Sequence, residues 1–307
     1  MDAVDAVPIV DLCSSSAGSD IVSSLEGASS ALLVGHGIDP ELRRELIVRT
    51  REFFALQEDE KERVRWPGTG AWYGWQPVYR GVPELTGDRV PDLVERFEVQ
   101  DPANFKLWPK RPAGFRAAWV EYYAAARALA SRLVELLANT LDLPGDMLPA
   151  WTDRQFANLV ANHYPPQPSP PQDGQTRVGP HTDRGGITLL AADEAPGGLE
   201  VRLAGRAWVP VEIPDDAYVL QVGDLFSMWT NKRIPANLHR VANPPREVAA
   251  TASRLSLVYF HYPALDTVVS PAPSCGGLDD PQVAPVSADD HLLRRQEAFK
   301  LPYAAAE

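Results

Sequence analysis

Arg254-Leu255-Ser256-Leu257-Val258-Tyr259-Phe260-His261-Tyr262 alternates in side-chain character with the period of two that an extended strand imposes. Arg254, Ser256, Val258 and Phe260 fall on one face, while Leu255, Leu257, Tyr259 and His261 fall on the other. Upstream, Phe156 to Tyr164 has the same texture, with Asn158, Val160, Asn162 and Tyr164 sharing a face. Between them lie further short β-type runs: Ile187 to Ala191, Leu199 to Leu203, Trp208 to Ile213 and Tyr218 to Val222. Short strands at this spacing, broken by turn residues, predict an antiparallel sandwich or barrel over residues 151–275.

Residues 1–150 read differently, as a helical region with short strands. Val7 to Leu12 is a leading strand, a helix follows from about Asp20, and Ala31 to Val34 is a buried strand ending at Gly35-His36-Gly37. Asp39-Pro40 can cap and start a helix that runs to Leu56. A charged helix, Glu58 to Val64, comes next; Trp66 to Val99 is rich in Gly, Pro and aromatics. Gly114 to Leu141 carries Phe115, Trp119, Tyr122, Ala126, Leu129 and Leu133 as the apolar stripe of a long helix. In the tail, residues 276–307, one amphipathic helix from Asp289 to Lys300 packs on the core. The fold class expected is mainly β with flanking helices.

A formal net charge of -12 gives no basic field for phosphate backbones, so nucleic acid is not an expected partner. Met1-Asp2-Ala3-Val4-Asp5 lacks the layout of a secretion signal, and the apolar runs are too short to cross a bilayer. Cys13 and Cys275 cannot form a disulfide framework. A cytoplasmic location, with no membrane partner, follows as the expectation. No segment reads as a docking module for a protein partner, which leaves a small-molecule substrate. Only 5 of the 29 basic residues are Lys, a bias that suits a GC-rich bacterial genome and suggests specialised metabolism.

Of six histidines, the informative one is in His181-Thr182-Asp183, where imidazole and carboxylate at i and i+2 share a face of an extended chain. A second histidine from elsewhere would complete a two-histidine, one-carboxylate set. His239, 56 residues after Asp183, allows several strands before the chain returns to the metal. Such a set suits Fe(II) and oxygen chemistry by leaving coordination positions open, although zinc accepts it too. An Arg254 pointing into a barrel with Ser256 and Tyr164 is costly unless an anion pairs with it. A dicarboxylate held by the metal at one end and forked by Arg254 at the other would fit; so would a protein carboxylate. His163 and His261 lie on the opposite faces and read as packed residues, His36 as part of a turn, and His291 as exposed. Asp224 reads as a turn residue. Trp72, Tyr73, Trp75 and Tyr79 are either core or the wall of a substrate pocket. Arg184, and Phe226, Met228 and Trp229 on a strand before His239, carry the same two readings.

Asn162-His163-Tyr164-Pro165-Pro166, His181-Thr182-Asp183, Gly197-Gly198-Leu199, Gly223-Asp224, His239-Arg240-Val241 and Arg254-Leu255-Ser256 occur in that order. Together with Val7-Pro8-Ile9-Val10-Asp11-Leu12 and Gly35-His36-Gly37-Ile38, this set resembles the isopenicillin N synthase-like 2-oxoglutarate/Fe(II)-dependent dioxygenase family. The resemblance implies a double-stranded β-helix (jelly-roll) core with iron at its mouth. It also implies Fe(II) ligands at His181, Asp183 and His239, and 2-oxoglutarate held by Arg254, Ser256, Tyr164 and Asn162. With O2 as oxidant, the implied reaction is hydroxylation, desaturation or cyclisation of a small organic substrate. Two features depart from the family: no cysteine follows the paired prolines, and 15 residues separate His239 from Arg254, implying an extended hairpin around Pro244-Pro245. Two other readings stand beside it. One is an Fe(II) oxidase of the same fold that needs no 2-oxoglutarate; the other is a zinc-binding barrel acting as a hydrolase or ligand-binding module.

Overall fold

Near the N-terminus a short strand, β1 (Ile9–Asp11), is followed by α1 (Ala17–Ala28), which crosses over to lay β2 (Ser30–Val34) parallel beside it. The computed structural model describes residues 6–67, 73–78, 92–203, 207–276 and 282–300, with side chains to Arg295 in the last segment. Asp39 caps α2 (Pro40–Phe54) by accepting from the Glu41 amide, as its position before proline predicts. The short helix α3 (Glu58–Glu62) leads to β3 (Gly74–Gln76), β4 (Glu95–Val99) and the long helix α4 (Phe115–Thr140). After α5 (Leu148–Trp151) come β5 (Phe156–Tyr164), β6 (Val178–His181), β7 (Ile187–Ala192), β8 (Leu199–Arg202), β9 (Trp208–Pro210) and β10 (Tyr218–Val222). The chain closes with α6 (Asp224–Trp229), β11 (His239–Val241), α7 (Arg246–Ala249), β12 (Arg254–Tyr262), the hairpin of β13 (Val268–Val269) and β14 (Val286–Ser287), and α8 (Ala288–Lys300).

Eight strands form one sheet in the order β1-β2-β10-β7-β12-β5-β4-β3, and β6-β11-β8-β9 form a second. Apart from β1 with β2, the strand pairs of both sheets are antiparallel, which is the jelly-roll arrangement expected. β1 to β4 precede residue 150, so the helical region and the barrel share a sheet. The period of two sorts the side chains as the sequence predicts. Leu255, Leu257 and Tyr259 of β12 join Leu159 of β5 in the core under α4, where Trp119, Leu133 and Phe115 are fully buried. Val258 and Phe260 face the other way, with Leu190, Leu199 and Val201, into the space between the sheets.

Three local readings are corrected. Residues 224–229 form a helix rather than a strand, because Leu225, Phe226 and Trp229 reach the core together at helical spacing. A run this short and apolar does not distinguish the two periods. The region after Pro244-Pro245 is the one-turn helix α7, not an extended hairpin. His291 is not exposed: its side chain is 12% accessible and lies 3.3 Å from Asp224.

Candidate metal centre

His181 ends β6 and His239 begins β11, and the two are register partners across the small sheet. Asp183 lies just beyond the end of β6, where the chain turns toward β7. One ligand atom from each of the three residues lies within 4.8 Å of the others. Each Nε2 is 3.8 Å from Asp183 Oδ1.

The tautomers follow from the backbone. His181 Nδ1 donates to the Gly179 carbonyl at 2.9 Å, and His239 Nδ1 to the Asn237 carbonyl at 3.1 Å. Both Nε2 lone pairs are thereby turned to the shared space. Burial, reinforced by His239, holds His181 well below the usual imidazole range, so it is neutral and fit to ligate. Asp183 is oriented by Thr188, whose hydroxyl donates to Oδ2 at 2.6 Å and leaves Oδ1 toward the histidines.

The loop carrying Asp183 is fixed from two sides. At the start of α6, the amides of Asp224 and Leu225 donate to the carbonyls of Asp183 and Gly185 at 2.8 and 2.9 Å. From α8, Arg295 donates to the Thr182 carbonyl at 3.3 Å and sits 3.4 Å from Asp224. Asp224 is therefore a helix-start residue that ties α8 to this loop, rather than a turn residue. Gly185 is required by close approach, since a Cβ there would lie 2.4 Å from the His261 carbonyl in β12. Gly185→Ala is expected to cost about 1–3 kcal/mol of stability, read from urea unfolding; an unchanged midpoint would refute the packing argument.

The triad opens on a cavity of about 360 Å³ between the sheets, whose wall runs along β5 and β12. Register orders the two strands: Arg254 opposite Tyr164, Ser256 opposite Asn162, Val258 opposite Val160, Phe260 opposite Asn158, Tyr262 opposite Phe156; from Val258 onward both members of each pair line the cavity, whereas of the first two pairs only Tyr164 and Asn162 do. At the first end, Ser256 Oγ lies 3.4 Å from the Tyr164 hydroxyl and 3.5 Å from Asn162 Nδ2. Arg254 is 3% exposed and stacks on the Tyr164 ring, its guanidinium 5.3 Å from the centroid. Its Nη1 is buried with no hydrogen-bond partner among the described residues. A second arginine, Arg177, flanks the same ring at 5.5 Å; its Nη1 and Nη2 donate to the carbonyls of Pro196, Gly197 and Ala252, while its Nε is buried without a partner among the described residues. Burial and the neighbouring Arg254 push Arg177 down to about 10. The four residues expected to hold a dicarboxylate thus lie together, with one buried cationic donor unsatisfied.

The substrate candidates divide. Arg184 lines the cavity. Phe226 and Trp229 do not: both are fully buried against Trp151, with Trp229 stacked on it at 4.5 Å. Trp75 is likewise core, its indole donating to Glu95 at 3.0 Å, and Tyr73 packs edge-on to Phe105. Trp72 and Tyr79 lie outside the described residues. In their place the structure brings Arg96, Glu98, Gln100, Asn158, Phe260 and Tyr262 to the cavity, joined from α8 by Leu292 and Leu293. Arg96 donates to Asn162 at 2.9 Å and lies 3.5 Å from Asp92, itself pushed up to about 6 by burial. The signal for Arg96 and Glu98 was the alternation Glu95-Arg96-Phe97-Glu98-Val99, whose charged face imitates a solvent face.

Burial pushes Glu98 up to about 7, against the pull of Arg184 and Arg96. In the unfolded chain a glutamate ionises near 4.5, so between that value and about 7 the folded protein holds the extra proton. Stability from this group is complete below about 4.5 and falls as pH rises through 7. Glu98→Gln should therefore gain on the parent by about 3 kcal/mol across that window, measured as urea midpoints from pH 5 to 8. A pH-independent difference would rule this out.

Comparison with known proteins agrees with this geometry. The family model for the 2OG-Fe(II) oxygenase superfamily matches residues 155–263, and one described as non-haem dioxygenase in morphine synthesis N-terminal matches residues 7–121. Flavonol synthase/flavanone 3-hydroxylase of Arabidopsis thaliana is 31% identical over 97% of this chain and 87% of that protein. Validamycin A dioxygenase of Streptomyces hygroscopicus subsp. limoneus is 31% identical over 91% and 83%. The crystal structure of a full-length Neurospora crassa protein in complex with alpha-KG and thymine superposes with a TM-score of 0.83, covering 97% and 98% of the two chains at 22% identity, a likeness of fold. The chain belongs to the 2OG-Fe(II) oxygenase superfamily and is a 2-oxoglutarate- and Fe(II)-dependent dioxygenase.

Proposed function

We propose that His181, Asp183 and His239 hold the Fe(II), that Arg254, Ser256, Tyr164 and Asn162 hold 2-oxoglutarate, and that a small organic substrate is hydroxylated at the Asn158–Phe260 end of the cavity. The observation that carries this is the buried Nη1 of Arg254, without a hydrogen-bond partner among the described residues, on a guanidinium stacked over the ring of the cavity-lining Tyr164. A buried guanidinium without an anion is costly, and the distal carboxylate of 2-oxoglutarate supplies that anion. When bound, Fe(II) with 2-oxoglutarate and O2 supplies the oxidising chemistry, with succinate and CO2 as co-products. The chain's residues supply the rest: imidazoles oriented by backbone carbonyls, a carboxylate set by Thr188, and an apolar wall of Val160, Leu190 and Val258 that excludes water. Hydroxylation asks least of that wall, because desaturation or cyclisation requires a second substrate position to be aligned.

No helix among the described residues is long and apolar enough to cross a membrane. The test is a small-molecule panel incubated with the protein, Fe(II), 2-oxoglutarate and O2, scored for succinate and for product mass. One succinate per product, with one oxygen atom gained, supports the proposal. A product that has only lost hydrogen would replace hydroxylation by desaturation or cyclisation.

A further inference from the structure

Across β4 and β5, at the end of the cavity away from Arg254, Glu98 gathers amides. Asn158 Nδ2 donates to Oε1 at 2.8 Å, Gln76 Nε2 approaches Oε2 at 3.4 Å, and Gln100 bonds the same carboxyl. With their N–H groups turned to Glu98, the oxygens of Asn158 and Gln76 are both buried with no hydrogen-bond partner among the described residues. The cluster therefore holds acceptors in excess of donors, and buried acceptors left unmade are costly. Glu98, Asn158 and Gln100 line the cavity, whereas Gln76 stands behind them. Asn158 lies six positions along extended β5 from Tyr164, about 20 Å at strand rise, and Glu98 pairs with Val160, two positions from Asn162, so the cluster lies on the side of Asn162 away from Tyr164 and Arg254.

What would satisfy these acceptors is a donor. An ammonium group is disfavoured, because Arg96 and Arg184 already act on Glu98 with positive charge. Around the cluster, Phe260 is the register partner of Asn158, and the Phe156 and Tyr262 rings pack at 5.6 Å on the adjacent pair. Resting on the functional reading above, we infer that the substrate is a neutral, largely apolar ring compound whose hydroxyl or amide N–H is read by Glu98 and Asn158. Glu98 is the specificity-determining residue of this subsite.

The experiment uses the anaerobic protein loaded with Fe(II) and 2-oxoglutarate, followed by the visible charge-transfer absorption of that complex. Probes are matched ring pairs: phenols and lactams, each beside the analogue in which the O–H or N–H is replaced by C–H. Perturbation of the absorption is titrated for both members in the parent, in Glu98→Leu and in Glu98→Gln. The inference expects the donor-bearing members to bind at least about tenfold more tightly in the parent. In Glu98→Leu that ratio collapses toward one, and in Glu98→Gln, which keeps an acceptor oxygen, part of it survives. Because the ratio is internal to each protein, it does not depend on how much of a variant folds. A ratio near one in the parent, a full ratio retained in Glu98→Leu, or a parent complex perturbed by no donor-bearing probe would each overturn it. If the parent forms no Fe(II)–2-oxoglutarate absorption at all, the assignment of the metal and co-substrate site fails first, and the inference with it.

Discussion

Arg254→Met should abolish 2-oxoglutarate binding at physiological concentrations while the protein keeps its iron and its fold. Arg254 is almost fully buried, and its Nη1 makes no hydrogen bond among the described residues. Truncating one partner of a buried, hydrogen-bonded charge pair costs about 2–5 kcal/mol, which raises the dissociation constant for 2-oxoglutarate roughly thirty- to several-thousandfold. Arg254→Lys keeps the charge but loses the planar fork, so it should fall between parent and Met variant. The apoprotein behaves in the opposite sense. With no ligand present the variant removes an unpaired buried cation, and forfeits only the stacking on Tyr164, worth about 0.5–1 kcal/mol. Its Tm without ligand should therefore match or exceed the parent's. Calorimetric titration of 2-oxoglutarate and thermal unfolding with and without it check both halves. Normal affinity in Arg254→Met would remove the assigned role, and a collapsed apoprotein would make Arg254 a structural residue.

That residue was legible because strand alternation is a rule about direction. Once Arg254 to Tyr262 is read as a strand, Arg254, Ser256, Val258 and Phe260 must share a face, and in the structure Ser256 pairs with Asn162 and Phe260 with Asn158. The iron triad was legible for a different reason, the short spacing of His181 and Asp183 plus one distant histidine that register places opposite His181. The substrate end was not legible in the same way. Aromatic density around residues 72–79 fits a core and a pocket wall alike, and Trp75 is held in the core by Glu95 and Lys61. Phe226 and Trp229 looked like strand residues near the site, but a six-residue apolar run fits helix and strand alike, and α6 carries them into the core. Arg96 and Glu98 were missed because charged residues at alternate positions ordinarily mark the solvent face of a strand. Here β4 is covered by the cavity instead, a fact of tertiary placement that no local pattern contains. His291 differs from its reading for the same reason: a histidine in a charged helix reads as exposed until Asp224 is known to lie beneath it.

Asp183→Ala should lose iron altogether, whereas Thr188→Val should only weaken its retention, and the two together test how the centre is built. Asp183 supplies the one negative charge of the triad, in a cavity where Arg96 and Arg184 both act on His181. Without the carboxylate, two imidazoles remain beside two guanidinium groups, and a divalent cation has no anionic ligand to offset that field. The loss should exceed about a thousandfold and should not be recovered by added Fe(II). Thr188→Val keeps the shape of the side chain and removes only the 2.6 Å hydrogen bond to Oδ2. The carboxylate remains but is free to turn, so affinity should fall about 10- to 100-fold and return when Fe(II) is raised. Iron content after dialysis, measured against graded Fe(II), separates the two variants. Retention of stoichiometric iron by Asp183→Ala would place the metal on ligands other than this triad. Unaltered iron affinity in Thr188→Val would mean that the α6 amides, which fix the carbonyls on either side of Arg184, hold Asp183 in position without help from its hydroxyl neighbour.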